Sequence, residues 1–90
     1  MYAIDFTIDE DAQILHINGN EIKLTILRWT LFMYLYKNKH RYTSTEELWT
    51  TLWSDNYQRT AVKWQAARLR QEIAPVGLEY RQGYGWRLGL

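Results

Sequence analysis

Between positions 59 and 73 the chain reads RTAVKWQAARLRQEI. Val62, Ala66, Leu69 and Ile73 recur there at steps of four, three and four residues. At ~100° per residue they span only ~60° of arc, so one face of a helix over about 60–73 is built for burial. The other side presents Lys63, Trp64, Ala67, Arg68, Arg70 and Gln71. From Arg59 to Arg70 four residues are positive (Arg59, Lys63, Arg68, Arg70) and none is acidic. Such a face suits either plain solvent or a polyanion. Pro75 and Gly77 stop the helix.

Working outward from this helix, Leu78 to Gln82, Gly83-Tyr84-Gly85 and Trp86-Arg87-Leu88 read as a terminal hairpin whose glycines permit a tight tip. Upstream, Ser44-Thr45-Glu46-Glu47 is a capping box, with Ser44 and Glu47 expected to satisfy each other's amides. The helix it opens pairs Leu48 with Leu52 and Trp49 with Trp53, and Ser54 to Gln58 forms a short polar loop. Before it, Leu24, Leu27, Leu31 and Leu35 keep helical spacing behind Thr25, a fitting N-cap. Trp29, Phe32, Met33 and Tyr36 make this helix apolar nearly all round, which predicts a central core helix ended by the basic stretch Lys37 to Arg41. The N-terminal quarter reads as a small antiparallel sheet: Tyr2 to Ile8, a break at Asp9-Glu10-Asp11, Gln13 to Ile17, a tight turn at Asn18-Gly19, and Glu21 to Leu24. The expectation is one α+β domain over 1–90, with a sheet over 1–24, three helices over 25–74 and a hairpin over 77–90.

Length and composition agree. Ninety residues allow one domain, large enough to bury a core without staples. The chain has no cysteine, which excludes a disulfide framework and cysteine-ligated metal, and fits a reducing cytoplasm, the expected compartment. The longest apolar stretch, Trp29 to Tyr36, falls far short of the ~20 residues of a membrane span, and no signal peptide opens the chain. The formal net charge of +1 hides a split: residues 1–25 carry −4 and residues 26–90 carry +5. The acidic sheet is expected to face away from any polyanion.

Catalytic chemistry finds no constellation. His16 and His40 have no neighbour at metal-ligand spacing. Asp9, Glu10 and Asp11 lack the spacing and glycine of a calcium loop and read as a solvated turn. Gly83 and Gly85 lie in a hairpin, the wrong context for a phosphate loop, and no serine has an evident base. A non-enzyme without metal or cofactor is expected. A binding role fits better. A helix with one apolar and one basic face suits the DNA major groove, where arginine can fork onto guanine O6 and N7. The hairpin carries Arg81 and Arg87, suited to phosphate or the minor groove. Three helices and a terminal hairpin are the parts of a winged helix.

The run from Arg59 to Arg70, with its Arg68-Leu69-Arg70, and the later Gly83-Tyr-Gly-Trp-Arg-Leu88 resemble the OmpR/PhoB-type effector domain of response regulators. Leu24-Thr25 resembles the opening of that family's first helix, and Ser44 to Leu48 with Trp53 resemble its second. An N-terminal sheet also belongs to the family, so the resemblance covers essentially the whole chain. It implies a winged helix-turn-helix that binds double-stranded DNA in a sequence-specific way and regulates transcription. Arg68 and Arg70 then stand at DNA-contacting positions of the recognition helix. Arg59 and Thr60 at its start, and Lys63, Trp64 and Ala67 on its presented side, complete the expected contact face. Gln82 lies where the family wing often has a DNA-contacting arginine, and Arg81 precedes it. Ser54, Asp55, Asn56 and Tyr57 lie in the loop that can touch RNA polymerase. The resemblance also implies a monomer in solution that sits in tandem or as a dimer on DNA.

The departures from the family are specific. Arg28 stands at a usual glutamate, which removes the reciprocal half of a capping box at Thr25. Lys63 stands at a usual aspartate, and Trp64 replaces a smaller aliphatic. No receiver domain precedes the winged helix in these residues, so a stand-alone effector is expected. Trp29, Trp49, Trp53 and Trp86 sit at positions suited to packing. Trp64 lies ~200° round the helix from Val62 and has two readings. It either tucks against the second helix or the hairpin, or it is exposed to cover thymine methyls or meet a partner. The second alternative extends to the whole domain, as a winged helix used for protein contact.

Overall fold

The computed structural model describes residues 4–53 and 59–90. The element order is β1 (Phe6–Asp9), β2 (Ile14–Ile17), β3 (Asn20–Lys23), α1 (Ile26–Lys37), α2 (Thr45–Leu52), α3 (Arg59–Ile73), β4 (Gly77–Arg81) and β5 (Gly85–Gly89). It is a winged helix of α+β class.

The first sheet is antiparallel in the order β1-β2-β3. Its register sets Phe6 opposite Ile17, and Leu15 opposite both Ile8 and Ile22. These five residues share one face, and Leu15 and Ile17 are fully buried against the helices. The β2–β3 turn forms at Asn18 (φ 49°) and Gly19 (φ 84°), the paired positive angles that Asn-Gly supplies. Asn18 also hooks the start of β1: its Oδ1 accepts from the Asp5 amide at 3.1 Å and its own amide donates to the Asp5 carbonyl at 2.7 Å. In the acidic break, Asp9 Oδ1 accepts from the Ala12 amide at 3.1 Å. Gln13 follows with φ 57°, and Ile14 opens β2 one residue later than expected. The first strand starts at Phe6, and Tyr2 lies outside the described residues.

Thr25 caps α1 by accepting from the Arg28 amide at 3.3 Å. Trp29, Leu31, Phe32 and Leu35 are buried, as a core helix requires. Its first turn is not: Ile26 is 76% exposed, so burial does not run all round even where the residues are apolar. Arg28 ties α1 to α3 by donating from Nε and Nη2 to the Glu72 carboxylate and from Nη1 to Gln65 Oε1 at 3.0 Å. The residue that denies Thr25 a reciprocal acid thus forms an inter-helix clamp.

Ser44 caps α2 through the Glu47 amide at 3.0 Å. The other half of the expected box is not formed by Glu47. Its carboxylate takes Arg41, at 2.7 and 3.1 Å, and the Tyr34 hydroxyl instead. A charged partner outcompetes a neutral amide for the same oxygens. Arg41 first, and then Tyr34, hold the Glu47 carboxyl below its ordinary pKa, and Glu47 raises that of Arg41. Trp49 is buried and Trp53 half-buried, stacked at 5.1 Å between ring centroids.

Val62, Ala66, Leu69 and Ile73 of α3 are all fully buried, the stripe read from the sequence. They join Leu48, the β2 residues, the buried face of α1 and Val76, Leu78, Trp86 and Leu88 in one core. Strands β4 and β5 pair from Gly77–Gly89 to Arg81–Gly85, leaving Gln82-Gly83-Tyr84 as the tip. The hairpin is fixed to the segment before α2 by two bonds between Thr43 and Trp86, each 2.8 Å. Gly85 makes this approach possible. A Cβ there would lie 2.0 Å from the Thr43 carbonyl oxygen, and its φ of +116° already disfavours other residues.

Candidate nucleic-acid interface

The buried stripe of α3 fixes which residues face outward. Thr60, Lys63, Trp64, Ala67, Arg68 and Gln71 are all exposed. Arg59 opens the helix, with its side chain outside the described set. Trp64 is 57% exposed, which resolves its two readings in favour of the open surface. The Arg68 guanidinium stands over its ring, 5.6 Å from the centroid. No acidic side chain among the described residues pairs with Lys63 or Arg68.

Arg70 is placed differently from the other helix cations. It lies ~80° from Val62, just outside the buried arc, and so reaches the hairpin. Its Nε donates to the Leu78 carbonyl at 2.7 Å, tying α3 to β4. Arg87 is also engaged. It pairs with Glu79 across the hairpin, at 2.7 and 2.9 Å, and its guanidinium lies 4.4 Å from the Tyr42 ring centroid. The Glu79 carboxylate, then the Tyr42 hydroxyl, raise its pKa above the ordinary value. Register sets Arg87, read from the sequence as suited to phosphate or the minor groove, opposite an acid that it pairs with.

Arg81 is exposed, 4.2 Å from the Tyr84 ring centroid and 6.0 Å from that of Tyr42. These rings hold the guanidinium without neutralising it. Gln82 is exposed at the tip. Between helix and hairpin lies an open hollow of about 690 Å³, bordered by Lys63, Tyr80, Gln82 and the first turn of α2 at Ser44, Thr45 and Glu46. Lys63 Nζ stands 5.6 Å from the Tyr80 ring centroid. Trp86 Nε1 donates to Thr45 Oγ1 at 3.2 Å, closing the floor beneath. Helix face, hollow and hairpin tip make one continuous surface. Lys63 and Glu46 are the charged residues lining the hollow itself among the described residues, with Arg68 on the helix face and Arg81 beside the hairpin tip.

Tyr80, which lines the hollow, and Tyr42, which meets Arg81 and Arg87, were not singled out in the sequence. Pairing Tyr80 with Trp86 would have shown its side of the hairpin, whereas Tyr42 gives no local signal. Ser54, Asp55, Asn56 and Tyr57 lie outside the described residues. Among the described residues no group of three His, Asp or Glu could hold a metal ion, and no helix is long and apolar enough to cross a membrane.

Comparisons with known proteins bear on this geometry. The family described as "Transcriptional regulatory protein, C terminal" matches residues 19–88. The transcriptional regulatory protein VxrB of Vibrio cholerae is 28% identical over 86 residues, covering 93% of this chain but only 35% of VxrB. The DNA-binding domain of Bacillus subtilis CssR superposes with a TM-score of 0.82 at 26% identity, over 93% of this chain and 99% of that one. The DNA-binding domain of the response regulator AdeR, crystallised with an intercistronic region, gives 0.81 at 20% identity, over 98% and 96%. With most of its length matched and the winged-helix architecture in place, the chain belongs to the family of C-terminal domains of transcriptional regulatory proteins, the OmpR/PhoB type that its motifs resemble.

Proposed function

We propose that the chain binds double-stranded DNA sequence-specifically as a transcription regulator. In this reading α3 enters the major groove and the hairpin lies on backbone or minor groove. One observation carries it: the face of α3 opposite the buried stripe is exposed and free of acid, and Arg81 stands on the adjoining hairpin. Arg68 reads base edges. Lys63, Arg81 and Arg59 hold phosphate, with Thr60, Ala67 and Gln82 at the contact surface. Arg70 keeps helix and hairpin in fixed relation. CssR and AdeR, whose domains are described as DNA-binding, support the reading through shared architecture.

The test is a selection from randomised duplexes at moderate salt. A motif is expected, and Arg68→Ala should cost on the order of 1–3 kcal/mol and relax one position of it. No enriched motif would overturn the reading. Contact with RNA polymerase through Ser54, Asp55, Asn56 and Tyr57, a cytoplasmic location, the absence of catalysis, and a monomer that assembles in tandem on DNA belong to the same proposal.

A further inference from the structure

The N-terminal sheet leaves one side of β1 open among the described residues, because the order β1-β2-β3 pairs this strand with β2 alone. Residues of an antiparallel pair alternate between those that exchange hydrogen bonds and those whose main-chain groups point the other way. The bond from the Asn18 amide to the Asp5 carbonyl fixes the phase. Asp5, Thr7 and Asp9 turn their main-chain groups toward β2, opposite Asn18, His16 and Ile14. Phe6 and Ile8 turn theirs to the open side, and outside the sheet ladder no main-chain bond reaches them among the described residues. Beside this edge lies an open cleft of about 490 Å³ between β1 and the C-terminal half of α1. Its apolar wall is Phe6, Ile8, Met33 and Tyr36, all half-buried, and the Phe6 and Tyr36 rings meet edge-on at 6.0 Å. A free strand edge beside an apolar cleft is the geometry that takes up an extended peptide. The edge supplies main-chain bonds and the cleft takes alternate side chains.

Charge decides which strand fits. On the face of β1 away from the cleft, exposed Asp5 and Asp9 bracket Thr7. A second copy of this chain pairing antiparallel about Thr7 would set each Asp5 opposite the Asp9 of the other copy. Like charges directly opposite destabilise a strand pair. The same two carboxylates favour a strand with basic residues at those positions. Glu10 and Lys37 also line the cleft, with opposite charges, so the balance at the edge itself is set by Asp5 and Asp9. We propose that β1 is a docking edge for an extended segment of another protein, with apolar residues opposite Phe6 and Ile8 and basic residues opposite Asp5 and Asp9. The apolar side chains of that segment enter the cleft, and its main chain bonds to Phe6 and Ile8. None of these residues borders the hollow beside α3, so the inference goes beyond the DNA-binding reading and stands without it.

The experiment adds a capped synthetic peptide, Ser-Lys-Val-Thr-Val-Lys-Ser, to the full chain and follows amide hydrogen exchange by NMR. In the free chain the Phe6 and Ile8 amides should exchange fast, whereas the Thr7 amide, turned toward β2, is protected. Saturating peptide should slow exchange at Phe6 and Ile8 by about tenfold or more. N-methylation of the two valines, whose N–H groups face β1, should abolish binding. N-methylation of the central threonine, whose N–H faces away, should not. Glutamate in place of both lysines should weaken binding about tenfold. Asp5→Lys keeps the main-chain bond to Asn18 and should leave the thermal midpoint unchanged, yet bind the lysine peptide several-fold less tightly. Binding that leaves Phe6 and Ile8 unprotected, or equal affinity for the glutamate peptide, would overturn the proposal, as would no binding at millimolar peptide. Protection of both amides in the free chain that grows with protein concentration would overturn it by assigning the edge to a second copy.

Discussion

At the residue scale, Thr43 and Gly85 show how closely the hairpin is fitted. Thr43 is fully buried and its Oγ1 has no hydrogen-bond partner, although both its backbone groups are bonded to Trp86. A buried unsatisfied hydroxyl costs ~1–3 kcal/mol, and valine keeps the shape without it. Thr43→Val should therefore be neutral or stabilising by about 1 kcal/mol in denaturant unfolding. Gly85→Ala should do the opposite. Its methyl would meet the Thr43 carbonyl at 2.0 Å, so the Thr43–Trp86 bonds must break or the hairpin must move. A loss of ~2–4 kcal/mol is expected, read as a lower urea midpoint. The sequence made the turn role of Gly85 legible. The contact that forbids a side chain was not, because Thr43 lies some forty residues away.

Among the elements, the helices were the most legible. Burial in α3 is written into its own spacing, and the caps of α1 and α2 are spelled by Thr25 and Ser44. Pairings between elements were not legible, since Arg28 with Glu72, Arg41 with Glu47, Arg70 with Leu78 and Arg87 with Glu79 depend on three-dimensional packing or strand register. They also explain why the sequence did not separate the engaged cations Arg70 and Arg87 from the unpaired Lys63 and Arg68: a cation's place in the sequence does not say whether it is already engaged among the described residues. Arg28→Ala should cost ~1–3 kcal/mol, because the partly buried Glu72 would lose its partner. A double-mutant cycle with Glu72→Ala should recover the coupling.

The Arg41–Glu47 pair predicts pH dependence at the start of α2. Glu47 titrates lower in the folded chain than its ordinary 4.5. The stability it contributes is complete above that value and is lost as pH falls through the lowered folded one. Glu47→Gln should flatten the acid limb of the stability profile and leave neutral-pH folding cooperative.

Across the whole molecule, the charge split survives folding as a division of labour. Asp5, Asp9, Glu10 and Asp11 belong to the N-terminal sheet and its turn, and none borders the hollow beside α3. A near-neutral chain can thus keep a basic surface. Log K should fall by ~0.9 per neutralised phosphate against log salt. Lys63→Ala or Arg81→Ala should each lower that slope by ~1 with little change in the preferred sequence. Equilibrium binding over a salt series checks both.

The Thr43–Trp86 bridge has a mechanical consequence for this mode of binding. A hairpin bonded to the foot of α2 and tied to α3 through Arg70 cannot swing to meet its target. The gap between the helix and the hairpin tip then works as a caliper of fixed opening. Where a duplex does not match that opening, the DNA rather than the protein must bend or change its groove width. Selection would then extend to the stiffness of base steps that no side chain touches.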